Sequence, residues 1–139
     1  MRLTSGLVLA LGWAAVLPGC RPSPPATVPL AGKVTVNGRP AARAKVFFTP
    51  LAPGASVLPS AETGPDGAFR VSTFLPDDGL PPGEYAVTVL WPTYKSGGDQ
   101  EVEGPDRLGG RYNDPRNPAL KVTVREGQSD LPPLDLRTP

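Results

Sequence analysis

The chain has 139 residues, no histidine and a single cysteine, Cys20. Without an imidazole there is no serine–histidine–aspartate triad and no histidine general base, and a zinc site of histidine and cysteine ligands is excluded. Lysine and arginine total 14 against 13 acidic residues, so no basic surface is expected to bind nucleic acid. We therefore expect a protein that is not an enzyme and that holds no metal or other cofactor.

Long apolar runs are scarce as well. An unbroken run extends only from Leu7 to Leu17, whereas a membrane-spanning helix needs about 20 residues. Because this run follows the positive charge of Arg2 and has small residues near its end, it is typical of a secretory signal peptide, predicted over residues 1–19. The segment Leu17-Pro18-Gly19-Cys20 resembles the lipobox of bacterial lipoproteins, in which the cysteine is lipidated and becomes the first mature residue.

The lipobox resemblance implies that Cys20 carries more than one acyl chain and anchors the protein in a membrane. Residues 20–29 are rich in proline and are predicted to form a semi-rigid tether. The expected location is the bacterial cell envelope, with the choice between inner and outer membrane open. The alternative is an ordinary secretory signal followed by a free cysteine.

Proline and glycine are abundant, at 20 and 16 residues, while apolar residues reach 39% and fall in short alternating blocks. Frequent turns between short β-strands explain this composition better than disorder does. The clearest block is Leu80–Trp91, in which a turn-forming Pro-Pro-Gly precedes a half-buried strand. One face of this strand carries Tyr85, Val87, Val89 and Trp91. We expect it to lie at the centre of the core, with Tyr85 and Trp91 covering the inner surface.

Similar blocks predict about seven short strands, with turns such as Asn37-Gly38 between them. They cover residues 30–36, 44–49, 61–63, 69–72, 85–91, 120–125 and 131–136. Residues 93–110 show no periodicity, and we expect them to form a mobile loop. The sequence thus predicts an all-β, antiparallel β-sandwich over residues 30–137.

Several motifs resemble those of carboxypeptidase regulatory-like domains, whose fold is transthyretin-like. They are Gly32-Lys33-Val34, Asn37-Gly38-Arg39-Pro40, Thr63-Gly64-Pro65-Asp66-Gly67-Ala68-Phe69 and Leu80-Pro81-Pro82-Gly83-Glu84-Tyr85. The resemblance covers residues 30–91 and implies a seven-stranded Greek-key β-sandwich. Arg43 departs from the family pattern, which usually has glycine at that position. With its lipobox, the whole chain is similar to small bacterial lipoproteins that carry such a domain.

Three aromatic side chains are candidate ligand contacts: Trp91, Tyr94 and Phe47. Trp91 and Tyr94 are able to stack on a sugar ring, with a core position as the alternative for Trp91. Phe47 falls on the outward face of its predicted strand and is a candidate contact site. We expect a non-catalytic structural or protein-binding module, with an envelope protein or a glycan as partner. The alternative function is carbohydrate binding through exposed aromatic residues.

Acidic residues are grouped at Asp77-Asp78 and from Asp99 to Glu103, without the spacing of a calcium-binding loop. We expect these carboxylates to be solvated. A catalytic role would require a pocket in which carboxylates such as Glu84 and Asp114 converge.

Overall fold

The structure is a computed structural model that describes residues 18–139, so the predicted signal peptide lies almost entirely outside it. Within these residues there are β-strands and no helix, which confirms the all-β class. The strands are β1 (Ala31–Val36), β2 (Arg39–Pro40), β3 (Lys45–Pro50), β4 (Ser60–Glu62), β5 (Ala68–Arg70), β6 (Gly83–Leu90), β7 (Pro92–Gly97), β8 (Gln100–Asp106), β9 (Leu120–Val124) and β10 (Leu134–Leu136). The described part of the chain accordingly offers no apolar helix of the length that crossing a bilayer requires.

The strands form two four-stranded sheets and a separate hairpin. The first sheet has the order β10-β1-β2, and β5 pairs with the opening residues of β1. The second sheet has the order β4-β3-β6-β9, and β7 pairs with β8. None of the sheets closes on itself. The short strands predicted near residues 61–63 and 131–136 correspond to β4 and β10, and both lie at sheet edges.

The turn predicted at Asn37-Gly38 is confirmed. Asn37 and Gly38 have φ values of 53° and 78°, and Val36 pairs with Arg39 across the turn. Asparagine and glycine adopt this left-handed conformation at low cost, which makes them suited to a two-residue hairpin turn.

The strand count and one pairing differ from the prediction. β1 and β10 pair in parallel, with Val34 opposite Leu134, so the first sheet is mixed rather than antiparallel. The extra strands beyond the predicted seven are the very short β2 and the β7–β8 hairpin, neither of which buries one complete face. Without a buried face there is no apolar alternation to reveal a strand.

β6 is hydrogen-bonded to β3 on one side and to β9 on the other, which confirms it as a central strand. Its inward residues from Tyr85 to Val89 are buried as predicted. Ala86 and Thr88 on the opposite face are buried too, so the middle of this strand is not half-buried. These two side chains are small, and the larger Phe47 of β3 lies directly opposite Thr88 and helps to cover that face.

Residues 93–110 were predicted to be a mobile loop, and this prediction is wrong, because they contain most of β7 and all of β8. Gly97 pairs with Gln100 across a two-residue turn in which Gly98 has a φ of 78°. Trp91 immediately precedes β7. Its side chain is half-buried and packs against the core from its margin, so it does not cover the inner surface as Tyr85 does.

Inward side chains of both four-stranded sheets form one hydrophobic core. The ring of Phe48 in β3 lies 6.4 Å from the ring centre of Phe69 in β5 and 6.4 Å from that of Tyr85 in β6. Phe69 in turn lies directly over Gly32 in β1, where an added Cβ atom would overlap the ring. The absence of a side chain at Gly32 is therefore what allows the Phe69 ring to enter the core.

Gly32→Ala should destabilise the domain by about 1–3 kcal/mol, because the added methyl group overpacks the core against Phe69. Gly64→Ala is the matched control, since a Cβ there meets no atom closer than 3.4 Å. Unfolding of both variants in denaturant measures the difference. Equal stability of the two variants would contradict this account of the core.

Candidate functional site

Two ion pairs hold the β7–β8 hairpin against the start of β3. Arg43 donates two hydrogen bonds of 2.8 Å to the carboxylate oxygens of Glu101, and the Nζ of Lys45 lies 2.5 Å from an oxygen of Glu103. Paired hydrogen bonds of this kind are the stronger form of an arginine–carboxylate contact. Because these side chains are partly exposed, salt screens the contacts, and the hairpin is held less firmly than the core.

Arg43 reaches Glu101 from a backbone conformation that favours glycine. Its φ is 60°, in the left-handed region, at the position where the resembled family usually has glycine. The buried Thr63 stabilises this turn, since its hydroxyl donates to the carbonyl of Ala41 at 2.5 Å and accepts from the amide of Ala44 at 2.8 Å. The turn directs the Arg43 side chain towards the hairpin.

The rings of Tyr94 and Trp91 are each covered by an arginine. The Cζ of Arg43 lies 3.5 Å from the Tyr94 ring centre, and that of Arg107 lies 4.6 Å from the Trp91 ring. Both distances are those of cation–π contacts. The indole nitrogen of Trp91 also donates a hydrogen bond of 2.9 Å to the carbonyl of Ala42. A sugar would have to displace an arginine or use the opposite ring face, so carbohydrate binding stays a prediction that this arrangement does not favour.

Asp106, the last residue of β8, organises the chain around Trp91. Its carboxylate accepts hydrogen bonds of 2.9, 3.0 and 3.0 Å from the backbone amides of Trp91, Leu108 and Gly110. The amide of Arg107 donates to the carbonyl of Trp91 at 2.8 Å. These bonds position the Arg107 guanidinium over the indole ring and help to bury Leu108 beside it.

Phe47 lies on a different part of the surface from the arginine-covered rings. It is half-buried and lines an open groove of about 720 Å³, to which neither Trp91 nor Tyr94 contributes. The groove also carries charged side chains of both signs, namely Lys45, Glu62, Arg70 and Asp77. The structure therefore does not bring the three candidate aromatic residues together into one patch.

The carboxylate of Asp78 is not simply solvated, contrary to the prediction. It accepts hydrogen bonds of 2.7, 3.0 and 3.0 Å from the backbone amides of Thr73, Phe74 and Leu75. Burial raises the pKa of Asp78, but these amide hydrogen bonds outweigh burial and hold the pKa below its ordinary value. Asp78 therefore organises the loop before β6, whereas its neighbour Asp77 is exposed.

Clusters of three or more acidic or cysteine residues able to hold a metal ion do not occur in residues 18–139. Glu84 and Asp114, the carboxylates that a catalytic pocket would need, are both exposed. Asp114 serves a local turn, in which it accepts a hydrogen bond of 2.9 Å from the amide of Arg116.

Cys20 is exposed and begins an extended segment that joins the domain at Val28. Val28 is buried and exchanges two backbone hydrogen bonds of 2.7 and 3.0 Å with Leu80. The predicted tether therefore ends where Val28 enters the fold, and the exposed thiol of Cys20 lies outside the core.

Comparison with protein-family models, with curated proteins and with solved structures finds no match for this chain. Its function has therefore to be inferred from the residues and contacts described above.

Sequence reasoning missed Glu101, which binds the arginine over Tyr94. It also missed Asp106 and Arg107, which contact Trp91. One available signal was Gly97-Gly98, a turn-forming pair between two polar segments of similar length. A second was the spacing of Glu101 and Glu103, which places both carboxylates on one face of a strand.

Acidification should release the β7–β8 hairpin. Hydrogen bonding by Arg43 holds the pKa of Glu101 below its ordinary value, so the charged carboxylate stabilises the docked hairpin fully above about pH 4.3, the value for a free glutamate. This stabilisation is lost as the pH falls through the lowered pKa. We expect amide hydrogen exchange in β7 and β8, corrected for intrinsic rates, to accelerate several-fold more than in β6.

Glu101→Gln isolates the contribution of this ion pair to the acid response. The variant should exchange faster in the hairpin at neutral pH and should respond less to acid than the unmodified chain. Glu126→Gln, which changes an exposed glutamate beyond β9, should behave like the unmodified chain. Identical pH profiles for Glu101→Gln and the unmodified chain would show that this pair does not hold the hairpin.

Proposed function

We propose that this chain is a lipoprotein of the bacterial cell envelope, in which an acylated Cys20 holds a non-catalytic β-sandwich at the membrane. The observation that carries this proposal is the segment Leu17-Pro18-Gly19-Cys20 after a signal-like apolar run. The exposure of Cys20 and of the proline-rich residues behind it supports the proposal. More than one acyl chain makes such anchoring stable, since each buried methylene contributes about 0.8 kcal/mol.

The domain is proposed to be a transthyretin-like Greek-key sandwich of the carboxypeptidase regulatory-like type. Two four-stranded sheets around one core support this assignment. The Asp-Gly turn supports it as well, because Asp66 accepts a hydrogen bond from the amide of Ala68 at 3.1 Å and Gly67 has a φ of 77°. A third support is the φ of 60° at Arg43, which occupies the glycine position of that family with glycine-like backbone geometry.

The sandwich is proposed to act as a structural or protein-binding module, with the groove around Phe47 as its contact surface. An aromatic side chain surrounded by charged groups is the usual composition of a protein interface, which has an apolar centre and a polar rim. Phe47 provides the apolar centre, and Lys45, Glu62 and Arg70 provide charges of both signs around it. Trp91 and Tyr94 are less suited to this role, because arginine side chains already cover their rings.

Cys20→Ser should abolish incorporation of labelled palmitate and should release the protein from the membrane fraction, because acylation needs the thiol at this position. The double variant Cys20→Ser with Ser23→Cys is the matched control. It restores a thiol in the same exposed segment and should stay unlabelled if the lipobox determines acylation. Unchanged labelling of Cys20→Ser would disprove the lipoprotein assignment.

A photoreactive phenylalanine analogue placed at Phe47 should form a crosslink to an envelope protein in intact cells, because the groove leaves this ring accessible to a partner. The same analogue at Thr123, an exposed position on β9, is the control and should not form that crosslink. Crosslinks of equal yield at positions 47 and 123 would contradict the groove as a binding surface. The absence of a crosslink at both positions would contradict it as well.

A further inference from the structure

Exposed apolar side chains of the domain are concentrated at one place. Among residues 18–139, five of the six large hydrophobic side chains that are exposed lie in the β3–β4 loop and in the loop before β6. They are Leu51, Val57, Leu58, Phe74 and Leu75, and we call them the apolar tip. The sixth, Val102, lies on the β7–β8 hairpin. Exposed apolar side chains that are grouped on two loops in this way are candidates for an interaction site.

The two loops of the apolar tip adjoin each other and the tether. Val57 and Phe74 line the same hollow of about 320 Å³, and Pro25 of the tether lines it as well. None of the residues that line this hollow carries a charge. Pro25 follows Cys20 by only five residues, which in polyproline geometry span about 15 Å. The apolar tip is therefore confined close to whatever holds Cys20.

The backbone of the apolar tip is suited to a site that excludes water. The amides of Thr73, Phe74 and Leu75 donate to the carboxylate of Asp78 and so need no water to satisfy them. An unsatisfied amide would oppose transfer of this loop into an apolar environment. These three amides are satisfied within the loop, which exposes the side chains of Phe74 and Leu75, with 40% and 68% of their surface accessible.

We propose that the apolar tip docks into the lipid bilayer that anchors Cys20, so that the domain rests on the membrane surface. The inference rests on the proposed lipid anchor. The occupant is the bilayer rather than a protein, because a tether of this length leaves little room between the tip and the membrane. Because the tether holds the apolar tip near the bilayer, its insertion is an intramolecular event at high effective concentration. A modest apolar surface is therefore sufficient for membrane binding. The groove around Phe47 borders the same loop through Ser72 and Asp77, but no side chain of the apolar tip lines it, so it stays available to a partner.

Tryptophan fluorescence on vesicles tests this docking. Leu75→Trp and Val102→Trp place a reporter at two exposed apolar positions, one within the apolar tip and one on the hairpin. Both substitutions leave the core intact. Trp91, together with Trp13 in chains that retain residues 1–19, contributes the same background to each. The full chain purified from membranes is reconstituted into vesicles of phosphatidylethanolamine and phosphatidylglycerol, with and without bromine on the acyl chains.

The reporter at position 75 should lose emission on the brominated vesicles and shift to shorter wavelength, whereas the reporter at position 102 should do neither. Quenching that is absent or equal at the two positions overturns the proposal. The intact mass of the same sample reports acylation of Cys20 independently. An unmodified Cys20 would show that the proposed lipid anchor is wrong. In that case the free thiol is coupled to a maleimide lipid, and the same quenching measurement then tests docking of the apolar tip.

Discussion

The contact of the Phe69 ring with the bare backbone of Gly32 lets one aromatic side chain of the first sheet reach the second sheet. β5 lies beside β1 in the first sheet, and its phenylalanine crosses that glycine to meet Phe48 of the second sheet. Phe48 then meets Tyr85 of the central strand β6 edge to face. Aromatic pairs of this geometry add stabilisation beyond the area that they bury. One position without a side chain thus supports a line of three rings through the core.

The β7–β8 hairpin is stabilised by a different kind of interaction. Its side-chain contacts with the start of β3 are ion pairs and a cation–π contact at the surface, which salt and pH modulate, whereas buried apolar side chains hold the two large sheets together. Arg43 connects the core to the hairpin, since the buried Thr63 stabilises its turn and its side chain binds Glu101 of the hairpin. The core and the hairpin therefore differ in stability within one small domain.

Strands with one buried face could be predicted from the sequence, and strands without such a face could not. The alternation around Val87 and around Val122 located β6 and β9, because inward residues are apolar and their neighbours are not. In β7 and β8 neither face is buried throughout, so no alternation exists. The parallel pairing of β1 with β10 depends on residues about a hundred positions apart, and local patterns contain no information about it. Arg43 was recognised as unusual, but its contact with Tyr94 depends on that same unpredicted hairpin.

The place where the tether joins the fold has a mechanical consequence. Val28 is paired with Leu80, and three residues later the chain becomes β1, which is hydrogen-bonded to β2, β5 and β10. A pull applied through Cys20 runs along β1 and loads these ladders in shear, so that many hydrogen bonds share the force. A force applied perpendicular to an edge strand would instead break its hydrogen bonds one after another. A domain held at one end under thermal agitation or flow is therefore attached through β1, a strand that is paired with three others.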